Sequence, residues 1–130
     1  MRKHLAIFKQ GVGEQILNGT KTVETRFSKM KIVPFGQISA GDLVYIKPSG
    51  KDIIGEFRVK KVIFFDGLDK EEINEIRLKY NGGIVADEGY WERKMVSKYA
   101  TLIFISQSTP FITAPLKILK KDLRGWVVLD

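Results

Sequence analysis

From Ile53 to Phe65 the chain carries one long extended run whose apolar alternation changes phase in the middle. Ile53, Phe57 and Val59 keep one parity, Val62 and Phe64 keep the other, and Lys60-Lys61 lies at the slip. Side chains on a strand alternate between two faces, so a phase change without a break calls for one extra residue, a β-bulge. Gly55 near the start of the run permits a bend. A strand with both devices curls around a core. The run therefore predicts one bulged strand, with Phe57 and Val62 both facing the interior.

The rest of the chain supplies partners for that strand. His4–Lys9 reads as a first strand, and Gly13–Asn18 as a short helix that Gly19 ends in a left-handed conformation. Lys21–Arg26 is rich in β-branched residues and alternates in charge, the pattern of a half-exposed strand. A loop is expected over 27–40. Leu43–Lys47 is a strand between Gly41-Asp42 and Pro48-Ser49-Gly50. Asp69 and Glu72 stand at capping-box spacing between Leu68 and Ile73, so a helix is expected from there to Tyr80, stopping at Asn81-Gly82-Gly83. A second short helix is expected within 86–98, capped by Asp87. Thr101–Ile105 and Gly125–Leu129 close the chain as strands. The expectation is one α+β domain over 1–130: a curved, mostly antiparallel β-barrel with flanking helices.

Composition narrows the chemistry. With no cysteine and one histidine, disulfides and thiolate catalysis are excluded, and neither a metal site nor another cofactor is expected. No apolar run reaches the ~18 residues of a membrane span, and the run after Met1 stops at Lys9, too short for a signal-peptide core. The expected location is the cytoplasm. The net charge of +7 is unevenly distributed: residues 1–62 hold 12 basic and 5 acidic side chains, 63–92 hold 3 and 8, and 93–130 hold 7 and 2. Two basic segments flank an acidic one. If the termini pack together, the basic segments merge into one surface suited to phosphates.

The densest chemistry lies in Gly19–Arg26. On a strand Thr22, Glu24 and Arg26 share a face, and Lys21 stands at the entry beyond the glycine turn. That gathers two cations, a carboxylate and a hydroxyl. The plain alternative is an exposed strand carrying salt bridges of little worth. Glu24 beside Lys21 keeps the ammonium charged, which favours a phosphate clamp over a general base. Arg26 offers a planar fork for phosphate or carboxylate. Tyr45, Tyr90 and Trp91 are candidates for base stacking, with Tyr90-Trp91 the better pair. The plain alternative is a half-core place for Tyr45 and packing of Tyr90-Trp91 against the barrel.

Gly19-x-Lys21-x-x-Glu24-x-Arg26 resembles the G-x-K-x-x-E-x-R signature of the ASCH family, the activating-signal-cointegrator homology domains related in fold to PUA. The flanking segments are similar too: a first strand, a helix ending Ile16-Leu17-Asn18-Gly19, then Gly41–Ile46 and Ile54–Phe57 as the next strands. The resemblance is strong from Leu5 to Val62, looser from Tyr99 to Trp126 and weak across the acidic segment. It implies a PUA-like barrel that binds RNA or a nucleotide-like ligand in a cleft containing Gly19, Lys21, Glu24 and Arg26. Some relatives hydrolyse N4-acetylcytidine with the motif lysine, a threonine three positions on and a glutamate. Here Lys21 matches that lysine, Glu24 replaces the threonine, and Glu88, with Glu92 as its rival, falls where the glutamate would. An amidohydrolase or ribonuclease using Lys21 and a carboxylate is the alternative that the resemblance leaves open.

Overall fold

A computed structural model describes residues 1–113 and 124–129. Six strands form one curled half-barrel sheet in the order β2-β5-β4-β3-β1-β6. They are β1 (Lys3–Phe8), β2 (Val23–Ser28), β3 (Leu43–Pro48), β4 (Gly55–Asp66), β5 (Tyr99–Pro110) and β6 (Trp126–Val128). The helices are α1 (Val12–Leu17), α2 (Lys70–Ile84) and α3 (Glu88–Lys94). All pairings are antiparallel except β1 with β3, where α1 and β2 provide the crossover that parallel neighbours need.

β4 is the long bulged strand. Its register against β5 shifts between Arg58 and Val59 and again between Val59 and Lys61. Before the bulge Phe57 and Val59 enter one core cluster with Val44, Ile46 and Ile103. After it Val62 packs against that same cluster while Ile63 and Phe65 turn to the other face. The extra residue lets one strand serve two cores. The second cluster, which holds Val23, Leu102, Ile73, Ile84 and Trp91, lies under α2 and α3.

Helix α2 begins with the expected capping box of Asp69 and Glu72. It does not stop at Asn81-Gly82-Gly83. It runs on to Ile84, and Val85 ends it with a left-handed φ of 58°. Tertiary packing overrides the weak helix propensity of glycine here. A Cβ on Gly83 would lie 2.6 Å from Thr22 Oγ1 and 2.9 Å from Val23 Cγ2. Only glycine allows that approach, and the Gly83 carbonyl accepts from Thr22 N–H at 2.9 Å. The close contact brings the last turn of α2 onto the entrance of β2.

β2 itself departs from expectation. Lys21, Val23, Glu24 and Thr25 are all buried, so the Lys21–Arg26 segment is not a half-exposed strand. α2 and α3 cover the apolar side of β2, while ion pairing and hydrogen bonding make burial of its charged groups tolerable.

Candidate functional site

A cleft of about 570 Å³ opens along β2. Its walls come from the end of β1 and the start of α1, the loop Ile32–Phe35, the α2–α3 junction, α3, and the entry to β6. Among the described residues the sheet is open at this seam, with β2 and β6 as its two edges.

Arg26 closes the seam. Its Nη2 donates to Ile7 C=O at 3.0 Å and its Nη1 to Gly125 C=O at 3.3 Å, joining edge strand β2 to the opposite side. Nε donates to Glu24 Oε2 at 3.1 Å, and Nη2 lies 2.9 Å from the same oxygen. The guanidinium lies over the Phe8 and Trp126 rings, 5.0 and 5.1 Å from their centroids. Most of the fork's donors are thus used inside the protein. Arg26 is a clasp before it is a ligand clamp.

Glu24 is similarly saturated. Besides Arg26, it accepts from Thr25 N–H at 3.0 Å and faces Lys21 Nζ at 3.3 Å. Lys21 Nζ also donates to Ile84 C=O at 2.6 Å, the carbonyl delivered by the extended α2. An ammonium has three donors, so a third N–H of Lys21 remains beyond these two bonds. Glu24 is a structural counter-ion, fully engaged in holding two cations.

The other residues singled out from sequence fall in different places. Tyr90 lines the cleft, its hydroxyl bonded to Thr25 Oγ1. Burial, with the negative charge of Glu24, pushes its phenol well above the ordinary value, so it stays neutral. Trp91 is completely buried, edge-on to Phe27 at 5.8 Å, and its indole N–H has no hydrogen-bond partner among the described residues; it belongs to the core rather than to a stacking surface. Tyr45, half-buried on β3, does not line the cleft. Gly19 turns the chain with a φ of 85° and is exposed outside it. Glu88 and Glu92 are exposed on α3 and do not line it either. Apart from Glu24, the carboxylate on its wall is Asp87, whose Oδ1 caps α3 by accepting from Tyr90 N–H at 2.7 Å.

Three cations of the wall were not singled out from the local motif: Lys9, Arg93 and Lys94. Lys94 Nζ lies 5.1 Å above the Tyr90 ring. Burial lowers its pKa from the usual lysine value, and the charges of Arg93, Arg26 and Lys9 push the same way. The available signal was regional: Arg93-Lys94 open the second basic segment, one helical turn beyond Tyr90.

A curled half-barrel with a cation-rich cleft at its open seam defines the class: a PUA-like α+β domain. No protein-family model matches the chain, and no curated protein matches it. Solved structures do match. The ASCH protein of Zymomonas mobilis superposes with a TM-score of 0.66 over 84% of this chain and 70% of that one, at 17% identity. Two of its single-substitution variants give 0.67 over 85% and 73% at 17% identity, and 0.75 over 99% and 89% at 14% identity. The chain has the ASCH fold.

Proposed function

We propose that the cleft binds RNA or a nucleotide-like ligand, with Lys9, Arg93 and Lys94 taking phosphate. The observation that carries this reading is the cationic cluster itself. Five cations and two carboxylates line the cleft, and both carboxylates are already engaged within the protein. Phe8, Phe27, Phe35, Tyr90 and Trp126 add aromatic surface to the same walls. Phosphate contacts of this kind release counterions, and aromatic walls suit unstacked bases.

The hydrolase alternative has less support. Glu24 is held by two cations and a main-chain N–H, so it has no spare basic oxygen with which to activate water. Glu88 lies away from the cleft wall.

The test is fluorescence anisotropy with a labelled single-stranded RNA of four to six nucleotides, competed by uridine 5′-monophosphate (UMP). Binding should weaken as salt rises, with a slope of about −0.7 per phosphate neutralised. Arg93→Gln and Lys94→Gln should each weaken it several-fold and flatten that slope. Absence of binding by both probes at low salt would end the nucleotide reading.

A further inference from the structure

Among the described residues β2 is an edge strand, paired only with β5. In an antiparallel pair, one residue turns both its N–H and C=O toward the partner and the next turns both away. The phase of β2 is legible at its ends: Thr22 C=O accepts from Ile105 N–H, and Ser28 C=O accepts from Lys98 N–H. Even-numbered residues therefore face β5, and Val23, Thr25 and Phe27 turn their main-chain groups outward. Residues of both parities, Glu24 to Ser28, line the cleft, so the strand meets the cavity edge-on.

Thr25 is already used. Its N–H donates to Glu24 Oε1, and its C=O faces the Tyr90 hydroxyl at 3.5 Å. The Phe27 N–H and C=O have no hydrogen-bond partner among the described residues. They form a donor beside an acceptor, both turned away from β5 at a residue that lines the cleft. The Phe27 ring is packed edge-on against Tyr90 at 6.4 Å and Trp91 at 5.8 Å.

We propose that the Phe27 main chain reads the Watson–Crick edge of a nucleobase, an inference that rests on the nucleotide reading above. Each nucleobase carries a donor next to an acceptor on that edge, the complement of one strand residue's outward pair. Lys94 over Tyr90, and Tyr90 against Phe27, bring the phosphate-binding cations and this reader into one contiguous wall. An extended peptide adding to β2 is a poorer fit, because strand addition needs successive free pairs and Thr25 has spent its own. A single main-chain pair accepts any of the four bases. It rejects a base methylated at the ring nitrogen of that edge, which loses its hydrogen bond and collides with the strand.

The experiment measures the affinities of UMP, 3-methyl-UMP, 5-methyl-UMP and ribose 5-phosphate, together with the Phe27 amide resonance in a ¹⁵N-labelled sample. UMP and 5-methyl-UMP should bind alike and move the Phe27 amide proton downfield. The 3-methyl compound should bind at least about tenfold more weakly, the equivalent of one ordinary hydrogen bond. Ribose 5-phosphate should bind weakly and leave Phe27 unmoved. Equal affinity for UMP and 3-methyl-UMP, or an unmoved Phe27 amide at saturation, would overturn the base-reading role while leaving the phosphate site standing. If ribose 5-phosphate and UMP both fail to bind, the nucleotide reading itself falls. A peptide that shifts Phe27 when UMP does not would replace the nucleobase with strand addition.

Discussion

Glu24 and Lys94 stand for two kinds of charge in this molecule. Glu24 sits buried between Lys21 and Arg26, and its value is structural. Glu24→Ala would leave two cations without their counter-ion, a change that costs about 3–5 kcal/mol in buried pairs. Urea unfolding measures it, and a loss under ~1 kcal/mol would mean the pair behaves as a solvated one. Lys94 stands on the cleft wall, and its charge depends on pH. Its folded-state pKa is lowered, chiefly by burial and then by neighbouring cations, so it loses its proton at lower pH than a free lysine. Phosphate binds the protonated form. Affinity for ribose 5-phosphate, which carries no ionisable base, should therefore fall with rising pH before 10.5, the ordinary lysine value, is reached. Lys94→Arg should remove that early fall, since arginine keeps its charge. A titration whose alkaline limb is identical in the two proteins would assign the fall to another group.

Among the elements, the end of α2 makes the sharpest prediction, because two adjacent glycines should respond oppositely to alanine. A Cβ on Gly82 meets nothing within 4 Å, so Gly82→Ala should gain up to about 1 kcal/mol of helix propensity. A Cβ on Gly83 meets Thr22 Oγ1 and Val23 Cγ2 inside contact distance. Gly83→Ala should therefore destabilise, and should also weaken ligand binding by displacing the Ile84 carbonyl from Lys21. Chemical denaturation of both variants tests the pair, and equal gains would mean that α2 lies further from β2 than those contacts require. The bulge in β4 is equally specific. Inserting one alanine between Lys61 and Val62 would shift the alternation by one residue and send Val62 to the wrong face, so loss of cooperative folding is expected by thermal melting.

At the scale of the whole molecule, three buried polar side chains join β1, β6 and the start of β3. Trp126 Nε1 donates to His4 Nδ1 at 3.0 Å, and His4 Nε2 lies 2.8 Å from Asp42 Oδ2. An indole N–H can only donate, so His4 Nδ1 is the acceptor and Nε2 carries the hydrogen given to Asp42. Burial works to raise the Asp42 carboxyl, but bonds from Arg2 N–H, His4 and Ser39 N–H outweigh it and hold its pKa below the ordinary aspartate value of 3.8. A depressed carboxyl contributes stability above its unfolded pKa and loses it as pH falls through the folded value. Asp42→Asn should accordingly flatten the decline of stability below about pH 4. Unchanged acid sensitivity in urea melts would place that decline elsewhere. Because Trp126 also packs against Arg26, this network supports the clasp across the seam.

Local pattern was enough for much of this architecture. The parity slip in β4, the capping box of α2, the Asp87 cap of α3 and the glycine turn before β2 are each set by neighbours within a few residues. The grouping of Lys21, Glu24 and Arg26 was legible for the same reason, since strand periodicity alone brings them close. What tertiary structure decided was how those groups are used. Arg26 is committed to Ile7 and Gly125, residues 19 and 99 positions away. Lys21 is tied to Ile84, 63 positions away, by a helix that continues through two glycines because β2 is there to receive it. Trp91 entered the core, and Lys9, Arg93 and Lys94 became the cleft's cations, because folding of the sheet gave distant segments a shared wall. Spacing along the chain reports which groups can share a face; burial and long-range partners determine which of them remain free to meet a ligand.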